Sequence, residues 1–131
     1  MSDILNDPCR IAPWVDPLDR EWPILWELID RLHELGYTDL SASQTMDTEH
    51  ISRRDMRKWP AHLRGCHRSN DPLSILTAFF LVEDWIERQT LVDILGEPLV
   101  KLMHNLRWLR KDGSKLNFAH FLFPNNGRYI L

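Results

Sequence analysis

Three groups of side chains have the types and spacing to do chemistry. In the run His62-Leu63-Arg64-Gly65-Cys66-His67, two imidazoles and a thiol fall within six residues, and His50 upstream offers a fourth donor. Zinc accepts such a nitrogen and sulfur set. Structural zinc sites, however, pair short spacings on both sides, and this stretch has only one such side. Pro60 and Gly65 also argue against a continuous helix that would set His62 and Cys66 one turn apart. Solvated or locally hydrogen-bonded histidines are the expectation, with no metal site. The second group, Glu83, Asp84 and Glu87, would suit acid/base work if an apolar cleft raised one of the carboxyls. Nothing nearby marks a cleft, so solvated carboxylates are expected there and no catalytic residue is named.

The third group is basic. Residues 101 to 115 hold five basic side chains against one acidic. Lys101, His104, Asn105, Arg107, Arg110, Lys111 and Lys115 would form a surface for a nucleic acid or another anionic partner. A second cluster, Arg53, Arg54, Arg57 and Lys58, is faced by Asp55 alone and continues to Arg64 and Arg68. The net charge of −3 hides an asymmetry: residues 1 to 49 carry eleven acidic and three basic groups, and residues 50 to 131 carry eight and thirteen. Either the halves pack on one another or the second half faces an anion.

The elements that must hold these groups are mostly helical. A 131-residue chain that is 44% hydrophobic, with six tryptophans, has the size and composition of one packed domain. The longest apolar run, Leu73 to Val82, is about half the length a membrane helix needs, and no signal pattern opens the chain. A cytoplasmic chain with free thiols at Cys9 and Cys66 is expected, with no membrane contact. Its few, scattered glycines leave no phosphate loop, so no cofactor is expected.

Residues 1 to 20, with three prolines and no sustained period, predict an extended arm resting on the body through Ile11, Trp14 and Leu18. Residues 21 to 131 form the single compact domain, with a helical part to residue 70. There the spacing of Ile24, Leu25, Leu28, Ile29, Leu32 and Leu35 predicts a helix opened by Pro23 and stopped at Gly36. Two or three short helices follow, with Asp39 and Asp47 as candidate caps. Asp71-Pro72 begins a helix that is apolar nearly all round, through Leu73, Ile75, Leu76, Phe79, Phe80 and Val82. Leu91 to Leu95 make a short helix stopped at Gly96, and Pro98 opens another that uses Leu99, Leu102, Met103 and Leu106. Two strands then surround an Asp112-Gly113 turn, with Leu116, Phe118 and His120 on one face. Helix, short helix, second helix and hairpin over 71 to 131 give an α+β, mostly helical, winged-helix-like fold with a small C-terminal sheet.

Taken together, "DPLSILTAFFLV", "RQTLVDILG", "PLVKLMHNLRWLR" and "FLFPNNGRYIL" resemble the N-terminal domain that precedes the catalytic domain of certain bacterial class I S-adenosylmethionine-dependent methyltransferases. "LIDRLHELGYT" is similar to that domain's first helix and its Gly-Tyr stop, and Phe123 stands where the family has an aromatic before Pro124. The resemblance implies a non-catalytic module that recognises a methylation substrate or a protein partner, with a catalytic domain expected beyond Leu131. The family's adenosyl-binding strand and its Asn-Pro-Pro-aromatic motif are absent here, so no catalytic or cofactor residue carries over. A small winged-helix DNA-binding protein or transcriptional regulator is the alternative, and an enzyme built on His62, Cys66 and His67 the third reading. The terminal strand is a candidate edge for homodimer pairing.

Overall fold

The computed structural model describes residues 18–51, 55–125 and 128–131. Most of the expected arm, with Ile11, Trp14 and Cys9, therefore lies outside the described residues, as do Arg53 and Arg54. Leu18, expected to rest on the body, is instead 54% exposed, and Asp19–Glu21 form a 3-10 turn whose Glu21 carboxylate accepts from the Leu18 N–H. This turn feeds α1 (Trp22–Glu34), with Pro23 in the first turn, where its missing N–H costs nothing. Leu28 and Leu32 are the fully buried part of its stripe. Gly36, at φ 76°, ends the helix, and the Tyr37 N–H returns to the Leu32 carbonyl at 3.1 Å.

α2 (Asp39–Met46) is capped by Thr38, not by Asp39. The Thr38 hydroxyl accepts from the Ser41 N–H, and the Ser41 hydroxyl accepts from the Thr38 N–H. Asp47 caps nothing at a helix start: it sits at the C-terminal end of α2 at φ 61°, a conformation aspartate tolerates better than most residues. A 3-10 turn over Met56–Lys58 leads into α3 (Trp59–Cys66), which runs without a break through Pro60 and Gly65. Pro60 lies in the first turn, and Gly65 is there because α2 passes close by: a Cβ at this position would lie 2.5 Å from the Thr45 carbonyl oxygen.

α4 (Pro72–Leu81) begins as its sequence predicts, with the Asp71 carboxylate accepting from the Ser74 N–H at 2.7 Å. It is the centre of the core, with Leu76, Ala78, Phe79, Phe80 and Leu81 at most 1% exposed. Burying each of the Leu and Phe side chains in this set is worth about 1.5–3 kcal/mol. After it come β1 (Ile86–Glu87), α5 (Arg88–Leu95), α6 (Glu97–Asn105), β2 (Leu109–Asp112) and β3 (Lys115–Phe118). The strands form an antiparallel sheet in the order β1-β3-β2, with Ile86 opposite Leu116 and Leu109 opposite Phe118. The fold is thus α+β and mostly helical. β1 is an addition to the expected elements, a two-residue strand too short to leave a period in the sequence.

The last residues make a separate two-stranded sheet, β4 (Phe123–Asn125) against β5 (Arg128–Ile130), where a single terminal strand was expected. Leu122, just before β4, donates its N–H to the Phe80 carbonyl and accepts the Tyr37 hydroxyl at 2.6 Å. One hydrophobic cluster joins Leu28 and Leu32 of α1 to Phe79, Phe80, Trp108, Phe118 and Leu122. Phe118 is its aromatic hub, edge-on to Phe80 at 4.9 Å and to Trp108 at 6.1 Å. No helix among the described residues is long and apolar enough to cross a membrane.

Candidate functional site

Gly96, at φ 93°, breaks the chain between α5 and α6, and Pro98 restarts it. The period of α6 then divides its side chains: Leu99, Val100, Leu102 and Met103 go into the core, while Lys101, His104 and Asn105 stay exposed. Opposite them stands the β2–β3 hairpin, turned by Gly113 at φ 61°. Between helix and hairpin lies a groove of about 260 Å³. Its floor is Val100, Leu109 and Leu116, and its rim is Arg88, Glu97, Lys101, His104 and Lys111.

The groove has fixed walls. The Arg88 N–H donates to the Ser114 carbonyl at 2.9 Å, and the Ser114 hydroxyl donates to the Glu87 carboxylate at 2.6 Å, so the tip of the hairpin is tied to the start of α5. The Arg88 guanidinium is paired with both oxygens of Glu97. Those hydrogen bonds hold the Glu97 carboxyl below the usual carboxylate range and raise the guanidinium in turn. With Glu97 answered by Arg88, Lys101 and Lys111 give the rim its net positive charge.

All seven residues of the expected partner surface are exposed, but they do not share one face. Lys101, His104 and Lys111 line the groove. Asn105 and Arg107 stand at the C-terminal end of α6, with Arg107 at φ 62°. Arg110 and Lys115 lie on the other side of the hairpin, because strand side chains alternate and Arg110 pairs with Asn117 across the ladder. The Arg110 guanidinium donates to the Asn117 side-chain oxygen at 2.9 Å. Asn117 is 1% exposed and donates to the Glu83 carbonyl at 2.8 Å. Arg88, which is not among the seven expected residues, also belongs to the groove.

In the second basic cluster, the Arg57 guanidinium chelates Asp55, with its closest contact 2.9 Å, and Lys58 is exposed. The Arg57 side chain, then its N–H, hold the Asp55 carboxyl below its ordinary value. Arg57 is therefore already committed.

The His62, Cys66 and His67 set does not assemble. α3 is continuous, contrary to the reading of Pro60 and Gly65, so His62 and Cys66 are one turn apart, yet both are buried in local roles. One ring nitrogen of His62, Nδ1, lies 3.1 Å from the Met46 carbonyl, and the other accepts from the Asp55 N–H at 3.4 Å. That places the proton on Nδ1 and leaves no lone pair for a metal. Burial, with Asp84 nearby, pushes the Cys66 thiol up to about 12, the opposite of an activated thiolate. His67 turns outward to Asp84 at 2.8 Å, a pairing nothing in the sequence signals. Among the described residues no three His, Cys, Asp or Glu side chains are grouped to hold a metal ion. The carboxylates are also occupied: Asp84 by His67, and Glu87 by Ser114.

No family model, curated protein or solved structure matches the chain.

Proposed function

We propose that this chain is a recognition module without a catalytic centre of its own, which holds a protein partner or methylation substrate for an S-adenosylmethionine-dependent methyltransferase domain. The observation that carries the reading is the groove between α6 and the hairpin: fixed walls, an apolar floor and a rim made net positive by Lys101 and Lys111, Arg88 being paired with Glu97. An apolar floor ringed by charge suits an amphipathic polypeptide, and Arg57, His62, His67, Asp84 and Glu87 of the other candidate clusters are already engaged by structural partners. The methyltransferase context comes from the resemblance of residues 71 to 131.

A photo-crosslinking residue at position 104, in cells that make the protein, tests it. The expected product is a crosslink to a polypeptide carrying a methylated side chain, lost in the Lys101→Glu/Lys111→Glu double variant. Crosslinks to DNA alone overturn it.

DNA binding is the second reading, favoured by the winged-helix-like order of elements and by the exposure of all seven surface residues. It expects affinity for duplex DNA that falls steeply with salt.

A further inference from the structure

β2 is one of the two outer strands of its sheet, the other being the two-residue β1. The two-residue turn at Gly113-Ser114 fixes which of its backbone groups are used. Asp112 faces Lys115 across the turn and Arg110 faces Asn117, and these are the pairs that exchange ladder hydrogen bonds. The bond from the Ala119 N–H to the Trp108 carbonyl, 2.7 Å, continues the alternation. Leu109 and Lys111 therefore direct their N–H and C=O groups away from β3, to the open edge, and among the described residues no strand lies beyond it. The side chains of the same two residues line the groove. Open backbone groups and groove wall thus belong to one pair of residues.

From this coincidence we infer that the ligand of the groove is an extended acidic peptide that adds to β2 as a further strand. A strand laid along the edge places every second side chain on the sheet face that carries Leu109 and Lys111. An aliphatic residue beside Leu109 would extend the apolar surface that Leu109 gives to the groove, and a carboxylate beside Lys111 would meet its ammonium group. The recognised pattern is an acidic and an aliphatic residue two positions apart. Charge selects against a basic strand, and the apolar floor and the spacing of backbone groups along β2 favour a peptide over a nucleic acid. The inference rests on the recognition-module reading and names its ligand.

Binding of the blocked peptide Ser-Glu-Thr-Val-Thr-Glu-Ser to the full chain, followed by fluorescence anisotropy, provides the test. Two further versions carry N-methyl groups on alternate amides, one on the odd and one on the even positions. One of the two is expected to bind at least about tenfold more weakly than the parent and the other within about twofold, because only the amides that face β2 are used. Lys101→Glu/Lys111→Glu is expected to abolish binding of the parent. Equal binding of all three peptides overturns strand addition but leaves a charged recognition groove. No binding of any of them overturns the peptide ligand; uptake of duplex DNA by the same chain then removes the recognition-module reading as well. Displacement of the parent peptide by self-association at high protein concentration would assign the edge to a second copy and overturn the proposal too.

Discussion

The Tyr129 hydroxyl donates to the backbone carbonyl of Tyr37 at 3.1 Å, and the two rings stack with 6° between their planes and 6.0 Å between their centres. Tyr37 in turn is fully buried and sends its own hydroxyl to Leu122. The end of α1 and the last strand are thereby fastened by two residues that each use both an aromatic face and a polar tip.

Tyr37→Phe is expected to cost about 1–3 kcal/mol, since it strands the buried Leu122 carbonyl. Tyr129→Phe, at a half-buried site where water can replace the hydroxyl, should cost about 1 kcal/mol or less. Urea denaturation of both variants checks the order; a larger loss from Tyr129→Phe would contradict it.

Gly65→Ala sets two effects against each other. Alanine is the better helix former by about 0.5–1 kcal/mol, but its methyl would meet the Thr45 carbonyl oxygen at 2.5 Å, a backbone atom that moves only with α2. Overpacking of this kind costs about 1–3 kcal/mol, so net destabilisation is expected. A raised melting temperature would show that α2 and α3 separate easily.

A thiol held up to about 12 is only about one part in ten thousand ionised at pH 8. In a Cys9→Ala background, Cys66 should react with a disulfide reagent no faster than the protein opens, and adding denaturant should accelerate it sharply. Rapid labelling of the folded chain would refute its burial.

Asp71 caps α4, and the Ser74 N–H, followed by the Ser69 hydroxyl, keeps its carboxyl below its ordinary value. A carboxyl depressed in the folded state stabilises above its unfolded pKa, and the contribution disappears as pH falls through the folded value. Asp71→Ala should thus lose about 1 kcal/mol at pH 7 relative to the parent and progressively less in acid. Parallel melts from pH 7 downward measure the convergence.

Lys101→Glu and Lys111→Glu, both at exposed positions, should leave stability within about 0.5 kcal/mol while removing the positive rim. Loss of folding in either would mean that the groove is structural.

Where one residue type dictates the local geometry, the sequence was legible. Asp71-Pro72 starts α4, Gly96 and Pro98 separate two helices, and Gly113 turns the hairpin, although with Ser114 as its partner and not Asp112, which belongs to β2. The basic surface was legible as a list but not as a shape, because alternation along β2 sends Lys111 into the groove and Arg110 to the opposite face. What escaped was long-range. β1 exists only because β3 offers it a partner, and His67 meets Asp84 through the packing of α3 beside α4. The continuity of α3 escaped because Pro60 and Gly65 read as helix breakers, whereas position in the first turn and contact with α2 make each acceptable.

Tyr37 and Tyr129 are 92 residues apart in the chain. A ribosome adds about 5–20 residues each second, so for several seconds α1 is outside the exit tunnel while the strand that will close over its end has not yet been made. During that interval Tyr37 and its neighbours are exposed to any chaperone that reads apolar segments, and contacts of such long sequence separation form slowly even in the finished chain.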